Sequence, residues 1–192
     1  MSRDFFNHYS ARWDETSTER DSTRLERMTE RLNIAPGSTV LDVGAGTGVL
    51  IPILSRKSGR LVALDFAEGM LRRARAKGFN GNIEYLIADV ARIPVCDNTF
   101  DVTVCYSCFP HFHDKLKALA EIKRVTRKDG RLFICHTSSR HEINAIHCQV
   151  PVLSDDLIPE RDEMQRLLST AGFVDIRIEE GSESYFVSAR KP

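Results

Sequence analysis

One stretch constrains this chain more than any other: Val40-Leu41-Asp42-Val43-Gly44-Ala45-Gly46-Thr47-Gly48-Val49. It reads as a buried strand, a glycine turn and the start of a helix. Such a turn brings backbone N–H groups and a helix N-terminus close to a ligand. Glycines at alternate positions let the backbone pass under a bulky group where a Cβ would clash. The spacing is Gly-x-Gly-x-Gly, not the Gly-x-Gly-x-x-Gly of dinucleotide folds, and glycine spacing alone is a loose signal.

Asp42 separates the readings. It falls at the carboxyl end of the first strand, where a carboxylate repels a pyrophosphate and suits a cationic ligand such as an amino-acid ammonium. Here the chain resembles the class I S-adenosylmethionine-dependent methyltransferases, whose first motif is an acidic residue and Gly-x-Gly-x-Gly after a strand. The resemblance covers about residues 37–190. It implies a Rossmann-like, doubly wound α/β sheet of seven strands, mostly parallel, with one antiparallel strand near the C-terminus. The pattern agrees. Residues 173–178 and 184–189 read as two strands joined by a short connection at Gly181-Ser182, which requires a hairpin.

The chain has 192 residues, enough for one domain with a proper core. We divide it into an N-terminal helical segment, residues 1–35, and a methyltransferase-like domain, residues 36–192. In the first, Phe6, Tyr9 and Trp13 share a helical face that either packs on the domain or forms a lid. A second helix from Ser22 to Leu32 carries Leu25, Met28 and Leu32. Acidic and basic residues number 27 each, so no strongly basic face for nucleic acid is indicated. No stretch is long and apolar enough to cross a membrane, and the N-terminus lacks a signal-peptide core. Five cysteines, an odd number, fit reduced thiols in a cytoplasmic protein. Oligomeric state is left open.

Further along, a helix is expected from Val49 to Arg56. Leu61 to Asp65 reads as the second strand; a carboxylate at its tip suits ribose hydroxyls or a helix N-cap. Phe66 can lie against a purine face or pack in the core. The third strand, residues 83–87, leads to Asp89, which the resemblance assigns to the adenine amino group, with Val90 beside it; loop capping is the alternative. Residues 99–105 form the fourth strand and 131–137 the fifth, with a turn at Lys128-Asp129-Gly130 between a helix over 115–126 and that strand. Leu116, Leu119, Ile122 and Val125 should face inward. Residues 138–159 read as a short helix and a loop, in a place where the family often shapes its substrate pocket.

The resemblance thus implies S-adenosyl-L-methionine as cofactor, held by Asp42, Gly44, Gly46, Gly48, Asp65, Phe66, Asp89, Val90 and Cys105. It implies methyl transfer to a small-molecule acceptor; the charge balance and hydropathy, separately, give no membrane partner and make nucleic acid an unexpected one. Where a base is needed, His111 is the first choice and His136 the second. His136, His141 and His147, with cysteines in the same loops, are candidates for a divalent metal, although His141 and His147 are not spaced as a helical metal pair. Three other functions share parts of the pattern: a nicotinamide-dependent reductase, a non-catalytic cofactor-binding module, and methylation of protein or RNA.

Overall fold

A computed structural model describes residues 2–16 and 22–192. Three helices come first: α1 (Ser2–Tyr9), α2 (Trp13–Thr16) and α3 (Ser22–Arg31). The alternating part follows as β1 (Thr39–Val43), α4 (Ile51–Lys57), β2 (Arg60–Asp65), α5 (Glu68–Ala76) and β3 (Ile83–Ile87). Then come β4 (Phe100–Tyr106), α6 (Lys115–Val125), β5 (Thr126–His136), α7 (Arg140–Cys148), α8 (Arg161–Thr170), β6 (Val174–Glu180) and β7 (Tyr185–Arg190). Short 3-10 turns occupy Phe109–His111 and Pro151–Leu153.

The strands form one sheet in the order β3-β2-β1-β4-β5-β7-β6. Only β7 runs against its neighbours, pairing antiparallel with both β5 and β6. The expected seven-stranded sheet with one antiparallel strand is therefore observed. Alternate side chains feed two cores. Leu41, Val43, Val62 and Leu64 pack toward α6 and α8, through Leu119, Ile122, Met164 and Leu168. Val40, Leu61 and Ala63 pack toward α3, α4 and α5, through Leu25, Met28, Leu54 and Leu71. Both faces of the central strands are covered, which is why they read as continuous apolar runs. Each fully buried aliphatic side chain contributes about 1.5–3 kcal/mol.

Sequence order reverses between β1 and β4, so a crevice opens beyond the carboxyl ends of these two strands.

Several local expectations need correction. The helix after the glycine turn begins at Ile51, not Val49, with Pro52 in its first turn where a missing N–H is tolerated. The fifth strand begins at Thr126, directly after α6. Phe100 pairs with Thr126 and Val102 with Arg131, so residues 127–130 form an excursion within the strand. It is captured by Lys191, the residue just after β7: the Asp129 N–H donates to Lys191 O and the Lys191 N–H to Gly130 O, both at 2.9 Å. Leu116 is exposed, while Ala118, Leu119, Ile122 and Val125 are buried. Tyr9 is exposed as well, because α1 ends there and Trp13 opens a separate helix. Residue 1 and residues 17–21 of the expected helical segment lie outside the described residues.

Candidate functional site

The glycine turn lies at the switch point. Gly44 takes φ +65°, and a Cβ there would come within 2.4 Å of Cys108 Cβ. The β1 turn can approach the loop after β4 only because residue 44 has no side chain. Gly48 serves packing instead. It does not line the cavity, and a Cβ on it would meet Phe79 at 2.7 Å and Ile51 at 2.9 Å. The Gly46 N–H donates to Asp65 Oδ2 at 2.8 Å, and the Ala67 N–H donates to Asp65 Oδ1 at 2.8 Å. The tip of β2 is thereby tied to the turn after β1 and to the start of α5.

Around this turn lies a partly open cavity of about 180 Å³. Asp42, Gly44, Gly46, Asp65, Phe66, Asp89 and Val90 all line it, so seven of the nine cofactor candidates converge. Gly48 and Cys105 do not line it. Cys105 is fully buried beneath it, in the core.

Asp42 is 2% exposed, and its Oδ2 has no hydrogen-bond partner among the described residues. Burial, and then repulsion from Asp65, raise its carboxyl from 3.8 to about 8. A buried carboxylate oxygen left unpaired is costly unless a ligand supplies a donor or positive charge. S-adenosylmethionine carries both an ammonium and a sulfonium, so the donor set fits that cofactor. Asp65 is also raised by burial, against which three backbone N–H groups pull it down. Asp89 is exposed and accepts from the Ala91 N–H at 2.8 Å. This is the loop-capping bond; the residue also faces the cavity.

Sequence reasoning did not single out Thr47 or the way the N-terminal segment is fastened. Phe6 and Trp13 line the cavity from α1 and α2. The Thr47 hydroxyl donates to Asp14, Lys77 pairs with Asp14 at 2.7 Å, and Lys77 also donates to Thr47 O at 2.7 Å. The Gly69 N–H donates to Asn7 Oδ1 at 2.8 Å. The segment is thus latched to the glycine turn and to α5.

The histidines separate. His111 lines the cavity, with Nδ1 2.9 Å from Asp156 Oδ2. His113 lines it too. His136 does not; it is buried with its ring centroid 6.2 Å from that of Tyr185. His141 is exposed on α7, and His147 turns its Nδ1 to the Asp156 carbonyl. Among the described residues no three His, Cys, Asp or Glu side chains group as a metal set, and the three metal candidates do not meet. Cys108 donates to Val43 O at 3.0 Å. Burial pushes its thiol up, which disfavours the thiolate. Among the described residues, no helix is long and apolar enough to cross a membrane.

Comparison with known proteins agrees with this geometry. A family model described as "Methyltransferase domain" matches residues 41–134, from β1 through β5. The demethylmenaquinone methyltransferase of Corynebacterium efficiens is 35% identical over 139 residues, covering 70% of this chain and 58% of that protein. The ubiquinone/menaquinone biosynthesis C-methyltransferase of Klebsiella pneumoniae is 38% identical over 109 residues, covering 53% and 43%. The chain spans about half the length of the curated relatives it matches. Among solved structures, a SAM dependent methyltransferase from Aquifex aeolicus superposes with a TM-score of 0.74 at 25% identity, covering 100% of both chains. A phosphoethanolamine N-methyltransferase of Haemonchus contortus shares the fold, with a TM-score of 0.74 at 16% identity over 88% of this chain and 52% of that one. The motif, the sheet order and these relatives agree: residues 41–134 match a methyltransferase domain, and the chain has the fold of the class I S-adenosylmethionine-dependent methyltransferases.

Proposed function

We propose that this chain transfers a methyl group from S-adenosyl-L-methionine to a small-molecule acceptor. The observation that carries the reading is Asp42, a buried carboxylate with an unpaired oxygen on the wall of a cavity built by a glycine turn. The bound cofactor supplies a methyl made electrophilic by its sulfonium. The residues bind, orient and exclude water. Asp42 meets the cationic amino-acid portion, Asp65 the ribose hydroxyls, and Phe66, Asp89 and Val90 the adenine end. The segment of residues 1–35 acts as a lid: Phe6 and Trp13 close the cavity and the Asp14–Lys77–Thr47 latch holds them. His111 is the base candidate at the cavity wall. His136, buried outside the lining, is set aside from that role.

The relatives named for demethylmenaquinone and ubiquinone/menaquinone make a hydroxylated aromatic ring, the reduced form of a quinone, the first acceptor to try. The test uses cofactor labelled on its methyl group, purified protein, a demethylmenaquinol and a fractionated cell extract. Label in the organic-soluble small-molecule fraction is the expected result. Label in protein or RNA, or none anywhere despite measured cofactor binding, would overturn the proposal.

A further inference from the structure

Residues 138–159, between β5 and α8, add nothing to the described lining of the cavity. They reach its wall through Asp156 and His147, both against His111, and through Leu153, which packs with Phe6 and Met70. Asp156 Oδ2 lies 2.9 Å from His111 Nδ1, and the two side chains are only 25% and 12% exposed. The loop that carries Asp156 is held firmly. Asn144 on α7 donates to Ile158 O at 3.1 Å and accepts from the Ile158 N–H at 2.9 Å. A capping box between Ser139 and Glu142 opens α7, and Arg140 ties it to Glu160 and Glu180.

Asp156 contacts a second imidazole. Its main-chain carbonyl faces His147 Nδ1. A carbonyl only accepts, so the His147 proton is on Nδ1. A carboxylate likewise accepts, so His111 also carries its proton on Nδ1, leaving the Nε2 lone pair as its basic site. The His111 ring is confined between neighbours. The Phe6 ring packs edge-on with centroids 5.0 Å apart, and the His147 ring lies at 4.9 Å, tilted 35°.

We propose that Asp156 is a positioning residue for methyl transfer: it fixes the tautomer and orientation of His111, so that Nε2 takes the acceptor's hydroxyl proton. The inference rests on the function proposed above and specifies the acceptor class, a molecule with a weakly acidic O–H. The O–H bond breaks and its proton passes to Nε2. The oxygen's electron pair becomes a C=O bond as the neighbouring ring carbon bonds to the methyl carbon; the S–CH3 bond breaks, its pair returning to sulfur, and the ring carbon's C–H proton then passes to the carbonyl oxygen, restoring the hydroxyl. His111 then carries positive charge. Asp156 faces that charge directly, and Asp65 acts on it from β2. His147, whose pKa burial lowers, stands beside it. Lys115 of α6 faces Asp156 and is itself faced by Glu163 of α8. The cation is thus stabilised where it forms.

The test compares wild type with Asp156→Ala and Asp156→Asn. It measures kcat and KM with the hydroxylated acceptor, S-adenosylhomocysteine affinity, and imidazole tautomers by 15N NMR of histidine-labelled protein. Signals are assigned with His111→Gln and His147→Gln. Wild type should show His111 as Nδ1–H, and Asp156→Ala should lose that preference. Its kcat should fall roughly 10²-fold with cofactor affinity changed less than about threefold. Asp156→Asn, whose amide oxygen can still accept, should recover part of the tautomer and part of the rate; it also serves should the alanine variant fold poorly. An unchanged kcat, or a loss confined to cofactor affinity and stability, overturns the proposal. Should wild type itself methylate no hydroxylated acceptor, the function above fails separately. The tautomer then decides: His111 as Nε2–H, or unaltered by Asp156→Ala, removes Asp156 from any positioning role.

Discussion

Replacing Asp42 by Asn tests the cofactor site through a proton. The carboxyl stands at about 8 in the folded chain against 3.8 ordinarily, raised by burial first and Asp65 second. A carboxyl raised in this way gives full stability below 3.8, where both folded and unfolded chains are protonated. Stability falls as pH rises from there toward about 8, because the unfolded chain ionises while the folded one resists. Near neutral pH the ligand-free cost is roughly 4 kcal/mol. Asp42→Asn removes that cost and leaves a buried amide that must find partners, at about 1–3 kcal/mol. The variant should therefore match or exceed wild type in urea denaturation near neutral pH, and its stability should vary less between mildly acidic and mildly alkaline buffers. Ligand binding should show the opposite preference. A cation against Asp42 favours the carboxylate, so binding below about pH 8 should release up to about one proton in wild type and none in the variant. Calorimetry of S-adenosylmethionine binding in two buffers of different ionisation enthalpy reads that proton directly. The affinity of Asp42→Asn should fall about 10–100-fold. A binding enthalpy independent of buffer in wild type, or undiminished affinity in the variant, would refute the placement of the cofactor's positive charge at Asp42.

Three further outcomes follow from the geometry. Gly44→Ala forces a side chain to φ +65° and a Cβ to within 2.4 Å of Cys108 Cβ, costing roughly 2–4 kcal/mol in urea denaturation. Adding Cys108→Ala should not restore stability, since the Cβ it keeps is the nearest atom. Lys77→Ala breaks a partly exposed pair, so stability should change by less than about 1 kcal/mol, while S-adenosylhomocysteine should dissociate several-fold faster. Trp13, the one tryptophan of the chain, lines the cavity, and its fluorescence in stopped flow reports that release. Leu54→Ala, at a fully buried position of α4, should cost about 2–5 kcal/mol and leave the ligand affinity of the folded protein unchanged.

What was legible in the sequence follows from the range of the interactions concerned. The strand–turn–helix at Asp42 and the final hairpin are local, and strands buried on both faces announce themselves as apolar runs. Local signals misled where a distant strand overrode them. Lys128-Asp129-Gly130 has the composition of a turn, and Asp129 does adopt φ +61°. Yet pairing with Lys191, at the far end of the chain, holds the backbone on either side within the ladder. Gly48 shows a different gap: three glycines in a motif look alike, but a Cβ on Gly48 would strike the Phe79 ring, so its need for glycine comes from packing behind the turn. The same reasoning bears on His111. Its loop position made it a base candidate. The residue that sets its protonation geometry lies 45 positions away, in a segment with no helical or strand period. Asp156 is brought to it by Asn144 gripping the backbone of Ile158, a pairing that no local pattern encodes. The cofactor half of the site is built by backbone turns and short-range motifs and is readable from sequence. The proposed acceptor half depends on His111 and Asp156, side chains 45 positions apart that meet beyond the sheet edge, and no short-range pattern specifies such a meeting.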